Sequence, residues 1–544
     1  MREIGYFKYA ELEEFLRRLA VDYPQLAQLG SAGKSYEGRD LWVLTITNSR
    51  TGDAAAKPAM YIEGNMHAGE VTGSAVCLYT AAYLCERYGH DAEVTQLLDT
   101  RTFYILPRVS PDGAELYLTT PQSTRSGVRR YPPDQPRAGL VAEDIDGDGL
   151  ILQMRIPDPH GDWRISERDR RCMVRRRPGE VGGQYYRLLP EGMVRNADGS
   201  LKEGVDPRAV CIAPPYCGLD FNRNYPANWQ PEAVQRGAGP YPLSEPETRA
   251  VADFILAHPN IVAAMSYHTS GGVILRPFST KGDQHFNDRD RELYGRLGEI
   301  GRETAGYDLI SVFSGLNGDK PSHGDFKDWA YEQRGLIVFT TELWDLRARA
   351  GIDLPWTAEY GEEEFLKLLA WNDRELAGRG WVDWHPFAHP QLGPVELGGW
   401  RNKEMMQNPP LQYLPEECHK NMMFTLKVAT LAPEIALADL TVRPVGSDIY
   451  RVECTVMNRG FLPTNGCEQA ISAGIARPVQ AVFRPAPGTT VIGEASCELG
   501  HLCGRSARTV GWTIVAPGGA EAAGEIEVGA PRCGTVRVRV SSRA

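Results

Sequence analysis

Apolar strands alternate with amphipathic helices along most of the first 380 residues, and this alternation restricts the fold more than any other feature. Up to about residue 118 the pattern predicts helix 8–19, strand 41–47, strand 59–63, helix 71–87 and strand 102–106. After residue 214 it predicts helix 244–258, strand 261–266, helix 287–305 and strand 336–341. Near-continuous apolar strands joined by helices indicate an α/β fold with a mixed, buried central sheet flanked by helices. We therefore expect ligands to bind at the strand ends.

Two segments interrupt this alternation and indicate how the chain is divided. Residues 119–214 are rich in Pro, Gly, Arg and Asp, so we expect a large insertion that runs over the surface. After Pro433, short alternating strands separated by Gly, Pro and Asn turns predict an immunoglobulin-like β-sandwich. The sequence thus predicts an α/β domain at 1–432, which carries the insertion, and an all-β sandwich domain at 433–544.

Composition excludes several classes of protein. A chain of 544 residues is too long for one compact core, and its formal charge of −11 argues against nucleic-acid binding. No apolar run approaches the length that spans a bilayer. The first residues lack the apolar core and cleavage site of a secretory signal, and the eleven cysteines are scattered without a Cys-x-x-Cys pair. We expect a cytoplasmic protein, or a secreted or periplasmic one if a signal was removed.

Three residues at strand ends predict a metal site. His67 and Glu70 lie three residues apart where a strand is followed by a helix, so both side chains can reach one ion. His268 ends a second apolar strand and supplies a third ligand, which leaves a coordination position open for catalysis. The sequence therefore predicts one catalytic Zn²⁺ per chain. We expect Asp220 to accept a hydrogen bond from the second ring nitrogen of His67.

A lone carboxylate, Glu342, follows the apolar strand 336–341. Beside a zinc site, such a group is suited to act as a general base that takes a proton from water and later delivers it to the leaving amine. The alternative is a salt-bridged carboxylate at the rim of the sheet.

Together these motifs resemble the zinc carboxypeptidase family of the carboxypeptidase A type. The motifs of that family appear here as His67/Glu70, Pro111-Asp112-Gly113, Asn222-Arg223, His268 and Glu342. The resemblance covers about residues 5–380, with 119–214 as an insertion. It implies a zinc metallocarboxypeptidase that hydrolyses the C-terminal bond of a peptide with a free carboxylate.

The resemblance also implies roles in substrate binding. Asn222 and Arg223 correspond to the pair that grips the terminal carboxylate, for which a bidentate guanidinium is suited. An arginine after the Pro-Asp-Gly segment polarises the scissile carbonyl in that family. Counting along the chain favours Arg125 for this role, and Arg129 and Arg130 compete with it.

The sequence departs from the family at two positions. Lys320 occupies the position of a mobile tyrosine, so either Lys320 or His323 donates the equivalent hydrogen bond, or no group does. Lys327 occupies the position at the base of the pocket for the C-terminal side chain, which predicts a preference for C-terminal Glu or Asp. The alternatives are that Asp325 or Asp328 neutralises Lys327, or that the preceding strand is shifted by one residue.

Two charged segments give weaker signals. Asp144, Asp146 and Asp148 alternate as in a calcium loop, but Arg155 replaces the final glutamate of an EF-hand. Calcium or another hard cation is one reading, and a solvated turn is the other. Seven arginines in 164–177 form either an anion-facing wall of the cleft or a solvated surface of the insertion.

Two other functions are compatible with these motifs. One is a zinc amidase that acts on acyl-amino acids or on cell-wall peptides with γ-linked or D-residues. The other is a non-catalytic peptide-binding protein whose β-sandwich is adhesive. All the expected site residues precede residue 433, so we expect the β-sandwich to be dispensable for the chemistry.

Overall fold

Helices and strands alternate through the first part of the chain. The structure is a computed structural model that describes residues 2–354 and 358–542. Up to residue 119 its elements are α1 (Tyr9–Asp22), β1 (Ala27–Lys34), β2 (Asp40–Ile46), β3 (Ala59–Gly64), α2 (Val71–Arg87), α3 (Ala92–Thr100), β4 (Thr102–Leu106) and α4 (Pro111–Thr119). The expected elements of this part are present with ends shifted by at most three residues. The pattern did not predict β1, α3 or α4.

The insertion contains six short strands, and the alternation of helices and strands resumes after it. The insertion contains β5 (Gly139–Ala142), β6 (Gln153–Pro157), β7 (Trp163–Ile165), β8 (Met173–Arg175), β9 (Tyr186–Pro190) and β10 (Gly192–Arg195). It is followed by α5 (Pro246–Ala257), β11 (Ile261–Thr269), β12 (Val273–Arg276), α6 (Asp288–Ala305), β13 (Asp308–Ser311), α7 (Phe326–Glu332), β14 (Ile337–Leu343), α8 (Leu346–Arg349), α9 (Glu362–Leu376), β15 (Trp381–His389), β16 (Gly393–Trp400) and α10 (Leu414–Thr430). None of the helices in the described ranges is both long and apolar enough to cross a membrane.

An eight-stranded sheet with the order β1-β2-β4-β3-β11-β14-β12-β13 forms the centre of the α/β part. Strands β4, β3, β11 and β14 are parallel neighbours, whereas β1, β2 and β12 introduce antiparallel pairs. The four parallel strands are almost entirely buried, which explains their continuous apolar sequences. The expected mixed sheet flanked by helices is confirmed. Because β3, β11 and β14 are parallel, the residues at their carboxyl ends meet at one edge.

Two glycines let helix α2 approach that edge. A Cβ atom on Gly73 would lie 2.7 Å from the carbonyl oxygen of Tyr267, and one on Gly64 would lie 2.5 Å from the backbone of Gly73. Both distances are shorter than real Cβ contacts, so any larger residue would push the helix away from the sheet. The close approach fixes the turn between β3 and α2, which carries His67 and Glu70.

The insertion is built onto a later segment of the chain. Strands β15, β16, β6, β9, β7 and β8 form one sheet in that order, and β5 pairs separately with β10. Strand β16 pairs with β6 through Leu397 and Met154, both fully buried. The sequence predicts an irregular excursion over the surface at this place. The strands of the insertion were missed because each has only three to five residues, too few to show periodicity, and because most of their partners lie far away in the sequence.

The C-terminal part is all-β, as the sequence predicts. It contains β17 (Ile435–Gly446), β18 (Ile449–Asn458), α11 (Glu468–Ser472), β19 (Val479–Pro485), β20 (Thr490–Ile492), β21 (Ser496–Gly500), β22 (Ser506–Val515), β23 (Ala523–Ala530) and β24 (Gly534–Ser541). Two antiparallel sheets, β17-β18-β22-β20 and β21-β19-β23-β24, pack around one apolar core. Val452 and Val510 enter this core from the first sheet, and Phe483 and Ile526 enter from the second.

The β-sandwich is joined tightly to the α/β part. Leu462, Cys467 and Ala470 belong to the same hydrophobic core as the central sheet. Buried Arg532 donates hydrogen bonds to the carbonyl oxygens of Gly335, at 2.6 Å, and Asn465, at 3.0 Å. Because Gly335 lies directly before β14, the β-sandwich supports the strand that carries Glu342.

We expect Arg532→Met to lower the thermal unfolding midpoint of the whole chain. The variant would remove the guanidinium donor from the carbonyl oxygens of Gly335, Asn465 and Arg334, and Gly335 would keep only the weak thiol donor of Cys467. A buried carbonyl oxygen left without a donor costs about 1–3 kcal/mol. Differential scanning calorimetry measures the change, and Arg539→Met, on an exposed position of the same domain, is the matched control. Equal midpoints for the two variants would show that this contact does not stabilise the junction.

Candidate metal centre

The turn between β3 and α2 presents His67 and Glu70 at the sheet edge. Asn65 adopts a left-handed backbone conformation, with φ of 59°, and its side-chain amide donates to the carbonyl oxygens of His67 and Ala68. These bonds replace the regular pairing that the chain loses where β3 ends. The ligand turn is therefore held from inside by a fully buried amide.

The donor atoms of three residues converge. His67 Nδ1 lies 2.8 Å from a carboxylate oxygen of Glu70 and 3.1 Å from Nδ1 of His268, which is 2.9 Å from the other Glu70 oxygen. All three side chains are buried. Tetrahedral zinc with bonds of about 2.0–2.1 Å places neighbouring ligand atoms about 3.3 Å apart, close to these distances. The nitrogen and oxygen donors therefore fit Zn²⁺, which the sequence predicts at this place.

Each histidine of this set is oriented through its other ring nitrogen. Nε2 of His67 lies 3.0 Å from Asp220, as expected, and Nε2 of His268 lies 3.2 Å from the hydroxyl of Ser266. Ser266 in turn donates to Glu63 at 3.0 Å. Sequence reasoning missed Ser266 and Glu63. The available signal was that each is a polar residue inside a strand that is otherwise apolar. Ser266 also lies two residues before His268 on the same strand.

Glu342 lies beside the ligand set on the neighbouring strand. It is paired with His268 in the register of β11 and β14. No described residue makes a hydrogen bond or ion pair with its carboxylate, which is therefore available to a water molecule or a substrate. Burial raises the pKa of Glu342 to about 7, the charge of Glu70 adds to this shift, and His268, Arg125 and Arg223 oppose it.

Arg125 is the candidate arginine that contacts the ligand set. Its Nε donates to Asp220 at 2.9 Å, and one terminal nitrogen lies 3.5 Å from Glu70. Its backbone carbonyl also accepts from the amide of Ala68 at 2.9 Å, which ties the two loops together. A Cβ atom on Gly113 would lie 1.9 Å from the carbonyl oxygen of Ser126, so the glycine of the Pro-Asp-Gly segment allows this loop to approach.

The two competing arginines are engaged elsewhere. Arg129 forms an ion pair with Glu245, and Arg130 donates to the carbonyl oxygen of Gln135. Neither contacts a ligand residue.

The Asn-Arg pair follows Asp220 in a short helical turn. The side-chain oxygen of Asn222 accepts from the amide of Phe326 at 2.9 Å, which leaves its NH₂ group for another acceptor. The guanidinium of Arg223 donates to the carbonyl oxygen of Asn222 and has no carboxylate within ion-pair distance in the described part of the chain. Arg223 lines the same cavity as His67 and Arg125.

The positive charge of Lys327 is paired with buried carboxylates. Its ammonium is 3% exposed and lies 2.9 Å from Asp328, 3.5 Å from Asp325 and 2.8 Å from the hydroxyl of Ser279. Despite the cost of burial, the two carboxylates raise the pKa of Lys327 above its usual value. This arrangement corresponds to the alternative in which Asp325 or Asp328 neutralises the charge of Lys327.

The two candidates for the tyrosine position contact none of the ligand residues. Lys320 is exposed, and its ammonium makes no hydrogen bond or ion pair with any described residue. The ring of His323 lies 3.0 Å from the carbonyl oxygen of Asn228, and its amide donates to Gln235, which lines the cavity. A hydrogen bond from Lys320 or His323 to a substrate stays a prediction.

Of the three aspartates in the calcium-like loop, two lie close to the carboxylate of Glu191, which is outside the loop. Asp144 and Asp146 come within 4.8 Å of Glu191, whereas Asp148 is not part of this group. Asp144 accepts from the amides of Gly147 and Gly149, as in a solvated turn. Nothing in the comparisons below supports calcium, and calcium binding stays a prediction.

The arginines of 164–177 lie away from the metal ligands. Five of the seven line two cavities formed by the insertion, the start of α9 and β15. Four of the seven pair with Glu180, Glu363, Asp169 or Asp373, or with carbonyl oxygens of the insertion. This arrangement corresponds to the salt-bridged surface of the insertion.

One further segment at the site was missed by sequence reasoning. Residues 402–410, between β16 and α10, cover the ligand turn: the amide of Asn408 donates to the carbonyl oxygen of Gly69 at 2.8 Å. A Cβ atom on Gly69 would lie 2.5 Å from the side chain of Gln407, which lines the cavity. The sequence of this segment contains no motif that distinguishes it from an ordinary loop.

Comparison with known families gives two matches. A family model described as zinc carboxypeptidase matches residues 12–356. A model for a domain of unknown function, DUF8731, matches residues 434–541. The first match includes all the ligand residues and Glu342, and the second coincides with the β-sandwich.

Individual relatives match parts of the chain. Carboxypeptidase D of Anas platyrhynchos is 40% identical over 107 residues, which is 20% of this chain and 8% of that protein. Carboxypeptidase B of Rattus norvegicus is 25% identical over 354 residues, which is 62% of this chain and 63% of that protein. The crystal structure of thrombin activatable fibrinolysis inhibitor has a TM-score of 0.45 and 19% identity, covering 78% of this chain and 74% of that one. A score this low adds nothing to the family match.

The contacts of His67 lead to a test of the metal site. His67→Ala should lose bound zinc, because two protein ligands hold the ion poorly. Asp220→Asn should keep zinc with an affinity lower by about 10–100-fold, because all three ligands remain while the contact that orients His67 and the ion pair with Arg125 are weakened. Competition with a chelator measures both affinities, and an unchanged affinity in His67→Ala would remove the ligand assignment.

Proposed function

This chain belongs to the zinc carboxypeptidase family, and from this premise we propose that it is a zinc metallocarboxypeptidase that hydrolyses the C-terminal bond of peptides. The observation that carries the proposal is the convergence of His67, Glu70 and His268 next to the unpaired carboxylate of Glu342. A ligand set made only for structure has no need of a neighbouring carboxylate without partners.

The three ligand residues fit one Zn²⁺ ion by donor type and spacing. When bound, zinc supplies a Lewis acid that polarises the scissile carbonyl and activates the attacking water. The remaining steps depend on residues of the chain. Asp220 holds the ring of His67 through Nε2, and Ser266 holds the ring of His268, so the donor nitrogens keep their direction during the reaction.

Glu342 acts as the general base in this proposal. A carboxylate oxygen of Glu342 takes a proton from the attacking water and delivers it to the nitrogen of the leaving amine. A pKa raised to about 7 by burial suits both transfers, because a group near the working pH exchanges protons in both directions.

Arginines of the cavity position the substrate. Arg223 and the free NH₂ group of Asn222 bind the terminal carboxylate, because the guanidinium has no carboxylate partner of its own. Arg125 stabilises the negative charge that develops on the carbonyl oxygen, since it is already held next to Glu70 by Asp220.

Other activities remain as competing proposals. A zinc amidase for acyl-amino acids or for cell-wall peptides with γ-linked or D-residues would use the same ligands and Glu342. Release of free amino acids from ordinary peptides distinguishes the peptidase from this amidase. A non-catalytic peptide-binding protein would bind the same peptides and leave them intact.

The cytoplasmic location also belongs to the proposal. All eleven cysteines are unpaired, which is consistent with a reducing compartment.

Glu342→Gln should lower kcat by about 10²–10⁴-fold while zinc content stays at one per chain, since the base is lost and the ligands are kept. The measurement combines steady-state kinetics on a peptide with metal analysis. Glu299→Gln, which changes an exposed carboxylate on α6, should retain full activity. If Glu342→Gln turns over at the normal rate, another group deprotonates the water.

The identity of the preferred C-terminal residue is a separate question within this proposal, because the sequence predicts a preference for Glu or Asp. This preference depends on Lys327, whose charge is already matched by Asp325 and Asp328. A substrate carboxylate would have to displace one of these aspartates from a buried pair, and that is costly. The charges therefore favour a pocket without acidic preference.

Peptides that differ only in a C-terminal Glu, Gln, Phe or Lys test this point. With Lys327 neutralised, we expect Glu to be released no faster than the isosteric Gln, measured as kcat/KM on zinc-loaded protein. Clearly faster release of Glu would instead support the acidic preference predicted from the sequence.

A further inference from the structure

A large cleft leads away from the metal ligands, and the insertion supplies most of its wall. The cavity has a volume of about 1340 Å³. His67, Arg125 and Arg223 line one part, and residues between 121 and 218 line most of the rest. Pockets for small molecules usually measure about 300–1,000 Å³, so this cleft has room for several residues of a peptide.

Two arginines that line the cleft have no acidic partner among the described residues: Arg137, which lies in the insertion, and Arg236, which follows it. The guanidinium of Arg137 lies 5.2 Å from the ring centre of Tyr216, and its Nε donates to the carbonyl oxygen of Pro214 at 3.0 Å. Arg236 is exposed at the rim of the cleft. Within the described ranges, no carboxylate lies at ion-pair distance from Arg137 or Arg236.

The acidic groups of the cleft are mostly compensated. Glu143 forms a bidentate pair with Arg195, at 2.6 and 2.9 Å. Asp220 is paired with Arg125, whereas Asp144 accepts from two backbone amides of its own turn and has no cationic partner among the described residues. The charges that have no partner in the wall are therefore mainly positive, although the formal charge of the whole chain is −11.

Apolar surface accompanies these charges. Tyr216 is 48% exposed and Ile212 is 61% exposed, and both line the cleft. Tyrosine and arginine side by side are typical of recognition surfaces, because the ring covers a large area and the guanidinium binds carboxylates through paired N–H groups. This wall is suited to a peptide segment with acidic side chains.

We propose that this cleft wall, formed by the insertion together with Tyr216 and Arg236, binds acidic side chains that precede the C-terminal residue, so that Glu- or Asp-rich peptide tails are the substrate class. The inference rests on the proposed function, because Arg223 must hold the terminal carboxylate before the preceding residues can lie along the wall. An extended chain advances about 3.3–3.6 Å per residue. The residues just before the scissile bond would therefore lie in the part of the cleft nearest the metal ligands, and earlier residues would lie farther along its wall.

The test uses two peptides of equal length and with the same C-terminal residue, with Glu or Gln at the three preceding positions. On zinc-loaded full-length protein, we expect kcat/KM to be higher for the Glu peptide and the difference to shrink as salt increases. Arg137→Gln and Arg236→Gln should each reduce the ratio by about 1.4- to 5-fold, the range for exposed ion pairs. Arg18→Gln, an exposed arginine of α1, is the control and should leave the ratio unchanged.

A binding measurement separates this inference from the proposed function. Fluorescence anisotropy on zinc-loaded Glu342→Gln protein gives Kd for both peptides without turnover. Hydrolysis of both peptides at equal rates and with equal Kd would overturn the inference and leave the peptidase proposal intact. Tighter binding of the Glu peptide, lost in Arg236→Gln, would support the inference even if neither peptide is hydrolysed. Because Arg236 is exposed, that variant tests the wall without affecting the core.

Discussion

The carboxylate of Asp220 is the contact on which the rest of the site depends. One oxygen accepts from the ring of His67 and from the amide of Asn222, and the other accepts from Arg125. Burial alone would raise its pKa, but the charges of Arg125 and His67 hold the pKa of Asp220 well below its usual range. One buried anion thus fixes a metal ligand, a candidate oxyanion group and the start of the turn that carries Arg223.

The site is assembled from elements that share only the edge of the sheet. Parallel strands β3, β11 and β14 bring the ligand turn, His268 and Glu342 together, and Gly64 and Gly73 allow α2 to pack against the same edge. Residues 402–410 then cover the ligand turn, and the β-sandwich supports β14 through Arg532. The chemistry lies within the α/β part, while its rigidity depends on segments that carry no catalytic group.

The fold pairs the charge of Lys327 and leaves two arginines of the cleft without a carboxylate partner among the described residues. Lys327 is buried with two aspartates, so its charge has already been used in the fold. Arg137 and Arg236, which belong to no motif, line the cleft with no carboxylate at ion-pair distance among the described residues. A positive side chain can recognise an acidic substrate only if the fold leaves it unpaired, because a buried and matched charge costs energy to separate.

The sequence by itself determined the alternation of strands and helices, and it singled out His67, Glu70, His268 and Glu342 as candidate site residues, because these depend on local periodicity and on side-chain chemistry at strand ends. The tertiary structure decided the rest. Counting along the chain favours Arg125 over Arg129 and Arg130, but only the fold shows that Arg129 is paired with Glu245 and that Arg125 contacts Asp220. The strands of the insertion and the neutralised state of Lys327 likewise depend on partners brought together by folding. Such pairings leave no periodic signal along the chain, so only the folded structure shows them.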